Sequence, residues 1–314
     1  MMGIAVENTE SGPVAATVVI TTKNRKDDLR AALASCARQS VAVEMLVFDD
    51  GSTDGTSAMV AAEFPQATLH RVEQSLGIVE ARNQAIALAA APIAITIDDD
   101  CVFPSEEIVR QTVEDFEHPR VGAVAIPSID VNCGAQISRE LPDRQAVYVC
   151  HQFRGGANAM RRDVFLKLHG YRKFLYRQGE EQDYCLRLLD AGYVVRAGRA
   201  QPIHHFEKLA RNWGAIAHYT SRNNVLYAWY NVPMPYFPGH LAATTLYSVR
   251  SGIRGGCGGA AARGILAGYA GIFHELTRRA PVRGSSYRLM RRLRSGSVLR
   301  LDAIEGELGP IDGR

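Results

Sequence analysis

Three consecutive aspartates, Asp98, Asp99 and Asp100, follow the run Ile93-Ala94-Ile95-Thr96-Ile97. A β-branched, apolar run of this kind reads as a buried strand, and α/β proteins gather their ligands at the carboxyl ends of such strands. Carboxylates held this close repel one another unless a cation lies between them, and hard oxygen donors suit Mg²⁺ or Mn²⁺. Side chains alternate along an extended segment, which turns Asp98 and Asp100 toward one site and Asp99 elsewhere. A solvated turn or a helix cap is the other use of an acidic triplet. Its position straight after a buried strand favours the metal.

Two further clusters carry carboxylates. Asp49-Asp50-Gly51-Ser52-Thr53-Asp54 ends an earlier β-branched run, so one of its acids either accepts hydrogen bonds from a base or ribose or closes a turn that caps the next helix. Glu180, Glu181 and Asp183 sit at the start of a helical pattern. There Glu180 and Asp183 share a face and Glu181 points about 100° away from Glu180. Acids at a helix start also stabilise its N-terminus without any catalytic duty. The glycine-rich run 252–259 lacks the Gly-Lys-Ser/Thr ending of a phosphate loop; it is read as a flexible connection or a tight helix contact.

The elements that must position these groups alternate in the first third of the chain. Strands are expected at 18–22, 43–48, 67–72 and 92–97, with helices at 27–38, after Thr53 or Asp54 as cap, and at 77–90. This is the pattern of an α/β fold with a mixed, mostly parallel central sheet flanked by helices. Beyond Asp100 the alternation loosens: helices are expected near 161–168 and 180–191 and a strand at 193–196. Proline density at 233–239 marks a break before a C-terminal extension. No internal repeat is present.

The 314 residues and 46% hydrophobic content provide for a full core. The formal net charge of +3 is too small to imply nucleic acid. It is unevenly spread, because residues 244–300 hold eleven arginines against one acid, Glu275. The six cysteines show no metal-binding or disulfide spacing and read as reduced, packed thiols. The first residues lack a basic segment followed by an apolar core, and the longest apolar stretch, 85–97, falls short of the roughly 20 residues a membrane span requires. A cytoplasmic protein, peripheral at most to the inner face of a membrane, is expected.

Four segments, VVITTKNR (18–25), VFDDGSTDGT (47–56), LGIVEARN (76–83) and IDDD (97–100), stand in the order and spacing of family 2 glycosyltransferases. The acidic segment GEEQDYCLRL (179–188), ending in AGY (191–193), resembles the same family's acidic helix. The resemblance spans roughly residues 17–225. It implies a GT-A fold with a nucleotide-sugar donor site in 15–103 and an acceptor half in 104–232, following an N-terminal tail at 1–14 and preceding a basic, mainly helical extension at 233–314. By position, Thr22 and Asn24 would line the base pocket, Asp50 would bind the base, and Asp98 would approach the ribose with Asp99 beside it. Asp100 would hold Mn²⁺ or Mg²⁺ on the donor diphosphate. Arg82 would face the donor, where a guanidinium can bind phosphate or base oxygens.

Glu181 stands where the family usually has its catalytic aspartate, so it is ranked first as the base; Glu180 and Asp183 are the alternatives and would otherwise border the acceptor. Gly156 and Asn158 lie in a segment of small residues (155–162) that resembles the one preceding the acidic helix, where substrate approaches the backbone. His205, after the expected strand at 193–196, is a candidate metal or diphosphate ligand, ahead of its neighbour His204.

The activity so implied is inverting transfer of a sugar from a nucleotide-diphosphate sugar to the hydroxyl of a glycan, lipid-linked glycan or secondary metabolite. Two other readings share the fold: a silent nucleotide-sugar binding module, suggested by glutamate at 181, and a sugar nucleotidyltransferase, against which stands the absence of a glycine-rich loop at 18–25. In the C-terminal stretch Leu289 and Leu293 share a helix face flanked by arginines. That face either meets an anionic membrane or packs on the core. Nucleic acid is not expected, since aromatic residues do not interleave with the basic ones.

Overall fold

The computed structural model describes residues 14–134, 136–207, 212–274, 279–296 and 298–311. All but the last residue of the expected 1–14 tail lies outside them. The first third alternates as its periodicity requires: β1 (Ala16–Thr22), α1 (Lys26–Cys36), β2 (Val43–Asp49), α2 (Thr56–Glu63), β3 (Thr68–Arg71), α3 (Ile78–Leu88) and β4 (Ile93–Asp98). β1 lies between β2 and β4, parallel to both. Every residue of β1 is buried, which is why its sequence is continuously apolar rather than alternating. α2 starts at Gly55, in a left-handed conformation, while the Asp54 carboxylate accepts the Thr56 N–H at 3.0 Å. Asp54 therefore acts as the cap from one position further back.

After β4 come β5 (Cys101–Val102), α4 (Ile108–Glu114), β6 (Val121–Ala125), β7 (Ser128–Asp130), β8 (Tyr148–Cys150), β9 (Ala157–Arg161), α5 (Arg162–Lys167), α6 (Glu180–Asp190), β10 (Val194–Ala197) and β11 (Ile203–His205). The chain ends in α7 (Trp213–Asn231), α8 (Phe237–Arg254), α9 (Gly258–His274), α10 (Gly284–Ser295), β12 (Leu299–Arg300) and α11 (Leu301–Ile304). The main sheet runs β12-β8-β10-β6-β9-β4-β1-β2-β3. Its first half, β3 to β4, is parallel, and β9 enters antiparallel between β4 and β6. A small sheet, β5-β11-β7, stands beside it.

Beyond Pro233 the chain is largely helical but returns to the catalytic layer. β12 pairs with β8 at the sheet edge, and α10 buries Leu289 and Leu293, at 2% and 0% exposure, in the main core. The leucine face that sequence left open between membrane and core thus belongs to the core, and α10 offers no apolar face to a bilayer. The glycine run makes a close helix contact, since a Cβ on Gly252 would fall against the Ala261 methyl. Four cysteines are buried, and all six are free thiols.

Candidate active site

The carboxyl ends of β1, β2 and β4 open into a cavity of about 780 Å³. Its other walls are the start of α3, the 154–156 loop, the first turn of α6 and residues at the start of α7. Of the residues expected in the site, Thr22, Asp50, Arg82, Asp98, Asp99, Asp100, Gly156, Glu180, Glu181 and His205 line this one space.

The aspartates divide differently from the alternation expected. β4 ends at Asp98, and the chain turns before β5 begins at Cys101, so the period of two stops where the triplet starts. Asp98 faces α3 and accepts from Arg82 Nη2 at 2.5 Å. Asp99, expected to face elsewhere, joins Asp100 instead. Arg25 Nη1 donates to Asp99 Oδ1 at 2.9 Å and to Asp100 Oδ2 at 2.6 Å, and Thr22 donates to Asp99 Oδ2 at 2.8 Å. Burial lifts Asp99 to about 6 in spite of Arg25. Burial also opposes the charge of Asp100, but hydrogen bonds from His205 and Arg25 outweigh it and hold this carboxylate at about 2. Asp100 is thus the acid best kept ionised for a cation.

The small sheet explains how His205 reaches it. β11 runs antiparallel to β5 and parallel to β7, which sets His205 in register with Cys101 on one side and Asp130 on the other. His205 Nε2 lies 3.3 Å from Asp100 Oδ1, and Nδ1 lies 2.7 Å from Asp130 Oδ1. Hydrogen bonding to Asp100 raises the imidazole above its ordinary value, against burial, with Asp130 adding to the effect. Nε2 thus faces the carboxylate oxygen with which it could share a small cation. Asp100 and His205 group with the Cys101 thiol, and His205 also with Asp130 and Glu207, within ligand distance of one another. Carboxylate oxygen with imidazole nitrogen fits Mn²⁺, whereas burial holds Cys101 well above the normal thiol range and so protonated. An Asp130 carboxylate on Nδ1 is the outer partner that orients a ligating histidine. His204 points away, its ring against Phe206.

Arg82 faces the three remaining acids. Besides Asp98, its Nη1 lies 3.7 Å from Glu180 Oε1 and 3.8 Å from Glu181 Oε1. Burial works against its charge, yet Asp98, Glu181 and Glu180 more than offset that and raise its pKa. Glu180 and Glu181 both reach the cavity, although Glu180 was expected to share the face of Asp183. The reason is their place in the first turn of α6, where Cα–Cβ bonds tilt toward the helix N-terminus and so toward the cavity. Asp183 sits on the other side, salt-bridged to Arg172 and Arg187 and bonded to Asn231. It does not line the cavity. The Glu181 side chain is 22% exposed and that of Glu180 4%. Burial raises both acids above the usual glutamate range, and the neighbouring Glu180 adds to the shift of Glu181.

Glycine at 155 and 156 leaves the surrounding charged side chains undisturbed. A Cβ on Gly156 would run into the Asp98 carboxylate, and one on Gly155 into Arg82 and Glu181. Asn158 lies one strand turn behind, fully buried, donating from Nδ2 to the Arg154 and Gly155 carbonyls at 2.8 Å. It shapes this loop and does not line the cavity. Asn24 also lies outside the lining, its Oδ1 accepting the Thr53 N–H at 2.7 Å. Asp50 lines the cavity, and its oxygens accept from Ser75 Oγ at 2.6 Å and from the N–H groups of Leu76 and Gly77 at 2.6 and 3.1 Å. It therefore fixes the entry to α3. Sequence reading assigned no role to Arg25, although it ends the first motif, nor to Asp130 or Tyr176. The Tyr176 ring lies so close over Gly77, which has φ 83°, that a Cβ there would clash.

The sheet order and the acidic cleft at its strand ends are those of a nucleotide-sugar type GT-A fold. The profile of glycosyl transferase family 2 matches residues 17–171 of the chain. Succinoglycan biosynthesis protein ExoU of Rhizobium meliloti (strain 1021) is 30% identical over 213 residues, which make up 62% of this chain and 61% of that protein. The mannosyltransferase PcManGT from Pyrobaculum calidifontis, solved with GDP-Man and Mn²⁺, shares the fold with a TM-score of 0.55 at 19% identity, over 95% of this chain and 87% of that one. S. aureus TarS 1-349, solved with UDP-GlcNAc, does so with a TM-score of 0.56 at 15% identity, over 75% of this chain and 72% of that one.

Proposed function

We propose that this chain transfers a sugar from a nucleoside-diphosphate sugar to an acceptor hydroxyl, in one displacement with inversion. The observation that carries the reading is that a carboxylate–imidazole pair fit for a divalent cation (Asp100 with His205) shares one cavity with the Glu181 carboxylate, which faces it beside Arg82. Mn²⁺ or Mg²⁺, when bound, neutralises the charge that gathers on the departing diphosphate. Thr22, Asp50 and Asp98 line the donor side and orient base and ribose; Asp99 acts through Thr22 and Arg25 to hold that wall in place. Glu181 takes the acceptor proton as the hydroxyl oxygen bonds to the anomeric carbon, and the bond from that carbon to the diphosphate breaks. Arg82 keeps Asp98 and the paired glutamates aligned and offers its charge to the donor. Gly155 and Gly156 leave room for the Asp98, Arg82 and Glu181 side chains that face the donor. The name of the relative ExoU, a Succinoglycan biosynthesis protein, supports a growing glycan as the acceptor.

Titration calorimetry of UDP-, GDP- and dTDP-sugars with Mn²⁺, Mg²⁺ or chelator tests the donor site. One donor is expected to bind the parent in a metal-dependent way. Asp100→Ala should weaken that binding by at least the roughly 10–100-fold that loss of even an outer partner costs a metal site. If no nucleotide sugar binds the parent with or without metal, the proposal fails.

A further inference from the structure

The hairpin formed by α8 and α9 leaves a row of large apolar residues on its outer side. Where α9 lies on α7 it presents glycine: a Cβ on Gly264 would meet the His218 carbonyl, and one on Gly268 the Val225 side chain and the Arg222 carbonyl. Ile265 and Ile272 are buried on the inner side, but other large apolar side chains stand on the outside. Leu246, Tyr247, Ile253, Leu266 and Phe273 are exposed, from 60% for Leu246 to 73% for Phe273. Leu266 and Phe273 each follow a glycine of the α7 contact, Gly264 and Gly271, by two positions, which is about 200° round the helix and so on its far side. On α8 the side chains of Leu246, Tyr247, Arg250 and Arg254 border a groove of about 410 Å³.

Water alone does not select such a surface, and contiguous exposed apolar residues mark a contact. Charge decides what kind. Residues 237–274 contain Arg250, Arg254 and Arg263 and no aspartate or glutamate. A second copy docked face to face would set arginines against arginines with no acid to meet them. An anionic lipid surface satisfies both features, accepting the apolar side chains below the headgroups and pairing its phosphates with the guanidinium groups. No described helix is long and apolar enough to cross a membrane, so the hairpin lies on it.

We propose that the outer face of the α8–α9 hairpin docks on an anionic phospholipid bilayer, with Leu246, Tyr247, Ile253, Leu266 and Phe273 inserted and Arg250, Arg254 and Arg263 at the phosphates. The hairpin is tied to the cavity through α7, since Asn212 and Ile216 at the start of α7 line it. Docking of this hairpin would hold the chain at a membrane and suits an acceptor carried there. The docking itself does not depend on sugar transfer, so vesicle binding that survives a failed donor assay would leave this inference standing and sink the proposed function alone.

The test is sedimentation of the full chain with vesicles of phosphatidylcholine alone or mixed with phosphatidylglycerol. The parent should pellet with the mixed vesicles and be released by salt. Replacing Arg250, Arg254 and Arg263 together by Ser should weaken partitioning about a hundredfold, at about fivefold for each charge near the surface. The pair Leu266→Ser and Phe273→Ser should lower it at least tenfold. Both variants must melt with the parent's cooperativity and bind nucleotide sugar as the parent does, which shows that their folds are intact. Three results overturn the proposal: no partitioning of the parent, partitioning that the substitutions leave unchanged, or a dimer in solution that the Leu266→Ser and Phe273→Ser variant dissociates while vesicles bind neither protein.

Discussion

At the scale of single residues the site is governed by one guanidinium among too many carboxylates. Arg82 is buried with Asp98, Glu180 and Glu181 around it, so one positive charge faces three acids. The imbalance is relieved by protonation, and burial with the neighbouring Glu180 pushes Glu181 up. A base acts in its ionised form, so turnover must rise with pH as Glu181 loses its proton. The acid limb of kcat/KM is therefore expected above the ordinary glutamate value of about 4.3. In Glu180→Gln, which removes the neighbouring negative charge, that limb should move to lower pH; a limb that stays in place would mean that another group titrates. The resemblance set Arg82 toward the donor, and its spacing along α3 points the same way. Val79, Arg82 and Ile86 share the buried stripe of α3, so the arginine stands on the apolar side of its helix, where only a charged cavity can receive it. No such signal existed for Asp130, whose partnership with His205 arises from strand register.

Elements explain where sequence reading succeeded and where it stopped. Up to β4 the strands β1, β2 and β4 were legible as largely buried runs and the helices from apolar residues at helical spacing, while β3 is a short edge strand with no buried residue. After Asp100 the strands β5, β7, β8 and β11 are two or three residues long, too short to show a period. β9 was read only as a substrate-facing segment, since its small residues Ala157 and Ala159 resemble a loop; it is in fact the antiparallel strand that joins the two halves of the sheet. In α10 the pattern of leucines and arginines fits a bilayer or a core equally well, and only the tertiary contacts separate them. Unfolding by denaturant tests the separation. Leu293→Ala, in the core, should lower stability by about 2–5 kcal/mol, whereas Leu266→Ser, on the exposed face of α9, should change it by less than about 0.5 kcal/mol. Equal costs would mean that one of these faces is misassigned.

Across the whole molecule the site is assembled from segments far apart in the chain. The proposed donor wall comes from β1, β2, β4 and the 75–77 turn, the proposed cation pair from the junction of β4 with the small sheet, and the proposed base from α6. α7 then carries the wall of the cavity outward to the α8–α9 hairpin. The family profile covers the proposed donor wall but ends at residue 171, before α6 begins at Glu180. The base is thus the part of the account that rests most on geometry: on the first turn of α6, on Arg82 and on the glycine loop opposite. Donor turnover and donor affinity measured side by side for Glu181→Gln test it most directly. The account predicts that release of nucleoside diphosphate falls by about 10²–10⁴-fold while the Kd for the nucleotide sugar stays within about twofold of the parent. Turnover at the parent's rate would contradict it and move the base to another residue.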